Sequence, residues 1–142
     1  MQSVAQLDHD RPPAGRDDLS ANDRSMVLRI TCDGQRVLLP GDLDRQGQSA
    51  LTGAGPGVSA DVLVLPHHGA WRDTLPAFVS AVGPKVVLAS ASRELVPPLS
   101  SGQAGKRFYQ SLSGNYQYRS TQRNGWVQVR FGRGGVQVRT MR

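Results

Sequence analysis

The chain has 142 residues, the size of one modest domain. Its single cysteine, Cys32, excludes an intramolecular disulfide and a cysteine-based zinc site, and no run approaches the roughly 20 apolar residues that cross a bilayer. The net charge of +6 is uneven, because residues 1–94 carry 9 Lys/Arg against 11 Asp/Glu, whereas residues 95–142 carry 8 Lys/Arg and no acid. This basic block suits a polyanion such as nucleic acid, or it is a solubilising surface.

The N-terminal residues 1–21 are polar and contain prolines, which predicts a flexible arm ahead of a domain over residues 22–142. His9 lies between two aspartates in this arm, and we interpret it as solvated. The domain opens with alternating apolar residues, an Asp-Gly turn and a second apolar run ending at Pro40-Gly41. This pattern is typical of a β-hairpin, since a tight turn needs positive φ.

Strand and helix patterns then alternate along the chain. Residues 44–53 fit a short helix, 61–66 a strand buried on both faces, and 74–82 a helix with Thr74 as N-cap and its apolar side chains on one face. Residues 85–90 fit a second buried strand. The recurrence predicts an α/β fold with a mixed sheet and flanking helices.

The C-terminal third is less regular. The segment "SRELVPPLSSGQAG" predicts a long loop, and residues 106–112 predict one or two helical turns. Three short alternating strands separated by glycine-rich turns follow, and we expect them to close the chain as an antiparallel edge.

Three groups of polar residues follow predicted strands: Gly41-Asp42, His67-His68-Gly69 and the segment "SASRE". Ligands of layered α/β proteins usually bind at such loops, and Asp and His together suit zinc or manganese. The simpler interpretations are that Asp42 caps a turn and that one histidine bonds to backbone at the strand end. Spacing alone leaves both interpretations open.

The order of these motifs resembles the C-terminal metallo-β-lactamase-like domain of ComEC-type DNA-internalisation competence proteins. The two most specific blocks are "LLPGDLD" and "ADVLVLPHHG", and a weaker likeness resumes in "YRSTQRNGWVQV", where that family has a threonine before a glycine-containing hairpin. The resemblance covers the second half of that domain. It implies half of a four-layer αββα sandwich, built in the parent proteins from two similar halves around a two-metal hydrolase centre.

Several roles are implied by this resemblance. Asp42 matches the aspartate that bridges two zinc or manganese ions. His67-His68 match the family's His-His-Gly, one member of which would sit over the scissile phosphate as a general acid or transition-state donor. His67, nearer the strand end, is the preferred general acid. Gly69, Arg119 and Arg123 are candidate substrate-binding residues. The implied substrate is single-stranded DNA, and the implied location is a protein of the bacterial inner membrane.

The sequence departs from the family at two ligand positions. It contains no His-x-His-x-Asp-His segment, which the family has in its first half-domain, and no histidine after the strand at 85–90. Asp42 and one histidine alone under-coordinate a metal. We therefore expect little nuclease activity from this chain alone, and we expect one apolar sheet face to need the missing half-domain or self-association.

Two hypotheses follow. The chain is the C-terminal half of a metal-dependent nuclease domain, active only with its N-terminal half. Its expected partners are that half-domain or the transmembrane portion of the parent protein. Alternatively, it is a degenerate, non-catalytic module that binds DNA or a partner through its basic C-terminal region. A small-molecule hydrolase is a third possibility, because one fold hosts many substrates.

Overall fold

The computed structural model describes residues 6–10, 19–96 and 98–141. The strands within these residues are β1 (Gln6–Asp10), β2 (Val27–Cys32), β3 (Gln35–Leu39), β4 (Val62–Val64), β5 (Val86–Ala89), β6 (Gln117–Ser120), β7 (Trp126–Gly132) and β8 (Gly135–Met141). The α-helices are α1 (Arg45–Gly53), α2 (Leu75–Val82), α3 (Gly102–Asn115) and α4 (Thr121–Asn124). Short 3-10 turns lie at Asn22–Arg24, Gly55–Val58, Pro66–Gly69 and Leu99–Ser101.

A six-stranded mixed sheet in the order β1-β2-β3-β4-β5-β6 forms the centre of the fold. β1 pairs antiparallel with β2, and β2 pairs antiparallel with β3 through the Asp33-Gly34 turn, where both residues have positive φ. β3, β4, β5 and β6 are mutually parallel. The α/β class, the mixed sheet and the predicted Asp-Gly hairpin are therefore confirmed.

The helices cover one face of this sheet. Leu38, Leu63 and Val87 lie side by side on β3, β4 and β5 and point into the larger core. The same core contains the apolar faces of α2 and α3, including Phe78 and Leu112. α2 begins after Thr74, as its apolar spacing predicts, although the Thr74 hydroxyl donates to the Gln48 side chain and does not cap the helix.

A two-stranded sheet, β7–β8, covers the opposite face. Val37, Val62 and Val86 form the neighbouring row on β3, β4 and β5, and the β7–β8 side chains Val129, Phe131, Val136 and Val138 pack with this row. Gln35 Nε2 donates to the Gly132 carbonyl at 2.8 Å and joins the end of this hairpin to β3. The expectation of an uncovered apolar face was wrong where the hairpin packs.

Two predictions about the C-terminal third also differ from the structure. β6 runs parallel to β5 rather than antiparallel, because the 14-residue helix α3 supplies the crossover that a parallel pair needs. α3 also begins inside the predicted loop, at Gly102. An added Cβ atom at Gly105 would collide with Ser101, the residue just before the helix. Glycine is therefore required at this position despite its low helix propensity.

The N-terminal prediction is tested only in part. Gln6–Asp10, assigned to the polar arm and including His9, form the edge strand β1, which the sequence did not predict. Residues 1–5 and 11–18 of the arm lie outside the described residues. Among the residues that the structure describes, no helix is long and apolar enough to cross a membrane.

Candidate functional site

The candidate site lies at the carboxyl edge of the parallel strands. β3, β4 and β5 run in one direction, so the loops that follow them meet at one edge of the sheet. The backbone N–H of His67 donates to the Gly41 carbonyl at 3.0 Å and joins the first two loops. The three groups of polar residues predicted from the sequence are therefore brought together.

The His-His-Gly turn has a strained backbone. His67, His68 and Gly69 all have positive φ, at 49°, 57° and 85°. A non-glycine residue in this region costs of order 1 kcal/mol or more, and such residues concentrate at functional sites. The turn therefore holds both imidazoles in a conformation that the surrounding contacts must maintain.

His68 is the histidine that approaches Asp42. Its Nε2 lies 3.6 Å from Asp42 Oδ1, and its Nδ1 lies 2.9 Å from the Ser90 carbonyl oxygen. The two side chains are 65% and 50% exposed, so solvent reaches both groups. His68 thus bridges the loops after β3 and β5.

His67 contacts a different set of groups. Arg72 Nη2 lies 3.4 Å from His67 Nδ1 and also donates to Asp44 Oδ2 at 3.0 Å. Arg72 Nε donates to Asp44 Oδ1, and Nη1 donates to the Trp71 carbonyl at 2.7 Å. The hydrogen bonds from Arg72 lower the pKa of the Asp44 carboxyl, and Asp44 in turn raises the pKa of Arg72.

Two further contacts hold the walls of the site. The Tyr109 hydroxyl on α3 donates to the Gly69 carbonyl at 2.8 Å, and burial raises the pKa of this tyrosine to about 12. The Thr121 hydroxyl donates to the Ala91 carbonyl and accepts from the Ala91 N–H, both at 2.9 Å. Thr121 belongs to the segment with the weaker family resemblance, and it fastens the loop after β5.

A cavity of about 900 Å³ lies over this edge. Its lining includes His67, His68 and Gly69, together with the cationic Arg93 and the apolar Leu95. The cavity lining therefore combines polar and cationic groups with the acidic Glu94 and with the apolar Leu95 and Val96. Such a volume is in the range of small-molecule and cofactor sites.

The predicted substrate-binding arginines lie elsewhere. Arg119 Nη1 donates to the Tyr118 carbonyl at 2.7 Å, and Arg123 pairs with Glu94. Neither arginine is among the lining residues of the large cavity. Sequence reasoning missed Asp44, Arg72 and Tyr109. Asp44 and Arg72 lie two and five residues after Asp42 and His67, and that proximity was the available signal.

The described residues do not form a complete metal site. Asp42 Oδ1 and His68 Nε2 are the two donors that approach each other, and no group of three or more His, Cys, Asp or Glu side chains in this part of the chain is arranged to hold a metal ion. Zinc in proteins takes three or four protein ligands. A zinc or manganese ion therefore does not fit these residues alone.

The Asp44–Arg72 pair predicts a specific pH dependence of stability. The folded pKa of Asp44 is lowered, so its stabilising contribution is present above the unfolded pKa of about 3.9 and is lost as pH falls through the folded value. Asp44→Asn should lower the free energy of unfolding by about 1–2 kcal/mol at pH 7. Thermal unfolding from pH 7 to strongly acidic pH should show this difference shrinking.

Asp73→Asn is the matched control. Asp73 pairs with Arg45 at the surface, where both side chains are more than 60% exposed, so its replacement should change stability little. A difference between wild type and Asp44→Asn that stays constant or grows on acidification would contradict the assignment.

No family model matches the chain. It is similar to Competence protein ComA of Neisseria gonorrhoeae, with 32% identity over 133 residues, covering 92% of this chain and 18% of that protein. ComE operon protein 3 of Bacillus subtilis (strain 168) is 33% identical over 85 residues, covering 60% and 11%, and uncharacterized protein YcaI of Escherichia coli (strain K12) is 31% identical over 132 residues, covering 92% and 17%.

These comparisons confirm the competence-protein part of the resemblance over most of the chain. The chain spans less than a fifth of the length of each of these relatives. The metallo-β-lactamase-like domain itself stays a prediction.

Proposed function

We propose that this chain is the C-terminal half of a nuclease-like hydrolase domain of a DNA-uptake competence protein, and that the complete domain cleaves phosphodiester bonds of single-stranded DNA. The observation that carries the proposal is the meeting of Asp42 with His68, part of a strained His-His-Gly turn at one sheet edge, in a chain similar to a protein named for competence. The parent protein is proposed to reside in the inner membrane.

The layer order supports the architectural part of this proposal. The helices, the six-stranded sheet and the β7–β8 hairpin form three successive layers, α, β and β. An αββα sandwich has these three and one more helical layer. The hairpin is then the part of the second sheet that this chain contributes, and the rest would come from polypeptide outside it.

The metal ligands, like the strands of the second sheet, are proposed to come partly from this chain and partly from polypeptide outside it. Zinc or manganese belongs to the proposal only if further ligands come from outside this chain, since Asp42 and His68 alone do not suffice. When bound, such an ion would supply Lewis-acid activation of water and phosphate. The residues of this chain can themselves perform two roles that do not depend on the ion.

Those roles are phosphate binding and proton donation. His67 and Arg93 place N–H donors around one cavity, where they can hydrogen-bond to the oxygens of a phosphodiester, and His68 lines the same cavity. An imidazole N–H directed at the leaving oxygen can donate a proton as the bond breaks. Gly69 lines the same cavity beside the two histidines.

The test joins this chain to its natural upstream polypeptide and measures cleavage of single-stranded DNA with Mn²⁺. Asp42→Ala, His67→Ala and His68→Ala should each lower the rate of cleavage about 100-fold or more, in line with the usual contribution of general acid–base groups. Asp73→Ala, which changes an exposed carboxylate paired with Arg45, should leave the rate within about two-fold. Equal rates in all of these proteins would overturn the enzymatic proposal.

A specific observation favours the second candidate function. No group of three or more potential metal ligands is present among the described residues, whereas the C-terminal third carries eight basic residues and no acid. A non-catalytic module would bind DNA through this region without cleavage. Salt-sensitive DNA binding by the joined protein, together with no cleavage above that of its Asp42→Ala variant, would support this candidate.

A further inference from the structure

The two adjacent histidines contact chemically opposite groups. His68 Nδ1 faces a backbone carbonyl, which can only accept a hydrogen bond, whereas His67 Nδ1 faces a guanidinium, which can only donate one. A neutral imidazole carries one N–H and one lone pair, and the partner of one nitrogen decides which nitrogen holds the proton. The partners therefore select different protonated nitrogens in the two rings.

The assignment for His68 follows from the Ser90 carbonyl. At 2.9 Å, a hydrogen bond between Nδ1 and this oxygen requires the proton on Nδ1. The neutral ring then presents an unprotonated Nε2, which is the atom that lies 3.6 Å from Asp42 Oδ1.

The assignment for His67 follows from the way Arg72 is held. Three acceptors fix the plane of this guanidinium: the two Asp44 carboxylate oxygens and the Trp71 carbonyl. One N–H of Nη2 is used by Asp44 Oδ2, and Nη2 has a second N–H within 3.4 Å of His67 Nδ1. A lone pair on Nδ1 satisfies that donor, so the proton of the neutral ring lies on Nε2.

We propose that Arg72 is a positioning residue which, opposite the Ser90 carbonyl, fixes His67 and His68 in opposite tautomers. His67 presents an Nε2–H donor, and His68 presents an Nε2 lone pair. Because both rings line the same cavity, one strained turn offers a hydrogen-bond donor and an acceptor side by side. Asp44 acts through Arg72 by holding the guanidinium plane.

The value of this arrangement for hydrolysis rests on the proposed function. A leaving oxygen needs a proton donor. A side chain that binds a cation or accepts a hydrogen bond from water, next to a carboxylate, needs a lone pair. Opposite tautomers assign the first task to His67 and the second to His68. The tautomers themselves are a property of the chain and are measurable without any substrate.

The experiment is ¹⁵N NMR of the histidine rings in the 142-residue chain, with a chelator present. A pH of about 8.5, two units above the ordinary histidine pKa of about 6.5, keeps free imidazole neutral. Long-range ¹H–¹⁵N correlations distinguish protonated from unprotonated ring nitrogens, and single His→Gln variants assign the three rings. The expected result is protonated Nε2 in His67 and protonated Nδ1 in His68. The same tautomer in both rings would overturn the proposal.

Arg72→Met tests the role of the arginine. His67 should lose its single tautomer and show the mixture of a free imidazole, whereas His68 should keep protonated Nδ1. If Arg72 only stabilised the fold, Arg72→Met would change the tautomers of His67 and His68 alike. Arg72→Lys retains a donor and should restore part of the His67 preference. Arg45→Met, which removes an exposed arginine paired with Asp73, should change neither ring.

Each outcome has one meaning. If Arg72→Met does not fold, the wild-type spectrum and Arg72→Lys still decide the assignment. An unchanged His67 in folded Arg72→Met would overturn the role of Arg72. Opposite tautomers without DNA cleavage by the joined protein would uphold this inference and count against the proposed function. DNA cleavage without opposite tautomers would support the proposed function and overturn this inference.

Discussion

Gln48→Glu should lower the free energy of unfolding by about 3 kcal/mol or more at pH 7, because it places a charge in a site without solvent contact. Gln48 is 0% exposed on α1. Its Nε2 donates to the Leu43 carbonyl at 2.9 Å, and its Oε1 accepts from the Thr74 hydroxyl at 2.7 Å. A carboxylate keeps the second bond but turns an oxygen toward the Leu43 carbonyl.

The loss should depend on pH with a defined sign. Burial raises the folded pKa of the introduced carboxyl above its unfolded value of about 4.3. The variant is therefore most stable below that value, where its protonated oxygen donates to Leu43, and it loses stability as pH rises through the folded pKa. Urea unfolding of wild type and variant at about pH 4 and pH 8 measures the difference.

Gln46→Glu is the matched control for this experiment. Gln46 is exposed on the first turn of the same helix, where an acid interacts favourably with the helix dipole. Its stability should equal or slightly exceed that of wild type at pH 8. A Gln48→Glu protein as stable as Gln46→Glu at pH 8 would contradict the buried hydrogen-bond assignment.

Gly69→Ala should destabilise the fold by about 2–4 kcal/mol through two separate effects. Its φ of +85° is unfavourable for any residue with a Cβ atom, at a cost of roughly 1–2 kcal/mol. An added Cβ would also lie 2.5 Å from Leu95 Cδ1 and 3.2 Å from Leu65 Cδ1. Because these atoms are the ends of flexible side chains, the overpacking should cost about 1–2 kcal/mol, the lower part of the usual range. Denaturant unfolding measures the sum.

Two other glycines separate these effects. Gly55 has a φ of +72° with no atom within 4 Å of an added Cβ, so Gly55→Ala carries the backbone cost alone. Gly53, at the end of α1, has open space and no positive φ, so Gly53→Ala should be neutral or slightly stabilising. If Gly69→Ala were no worse than Gly55→Ala, the close packing of Leu95 on the His-His-Gly turn would be disproved.

The parts of the fold that the sequence predicted are those set by local interactions. The Asp33-Gly34 turn was predictable because its positive φ values favour these two residue types. Helix α2 was predictable because Leu75, Phe78 and Val82 form a face within a single segment. The direction of β6 was not predictable, since alternation is the same in parallel and antiparallel strands and the crossover helix was only partly detected.

The same distinction applies to the site. Because Asp42 and the two histidines each follow a predicted strand, the sequence predicted that they lie close together. Chain position favoured His67 as the reactive histidine, whereas the structure places His68 beside Asp42, because positive φ at both residues turns the chain there. The Ser90 carbonyl has no side-chain signature, and the Arg72 contacts depend on how the loop folds, so neither was predictable. The catalytic role of either histidine stays a prediction.

The hairpin on the back of the sheet has a consequence for synthesis of the protein. Val37, Val62 and Val86 are covered by side chains of residues 126–141, and the Gln35–Gly132 hydrogen bond joins residues 97 positions apart. A ribosome releases the covering strands after β3, β4 and β5, so this valine row faces water until residues 126–141 have been made. Nascent chains truncated before β7 should therefore be prone to aggregation. Chaperones and neighbouring polypeptides would compete for the exposed valine row.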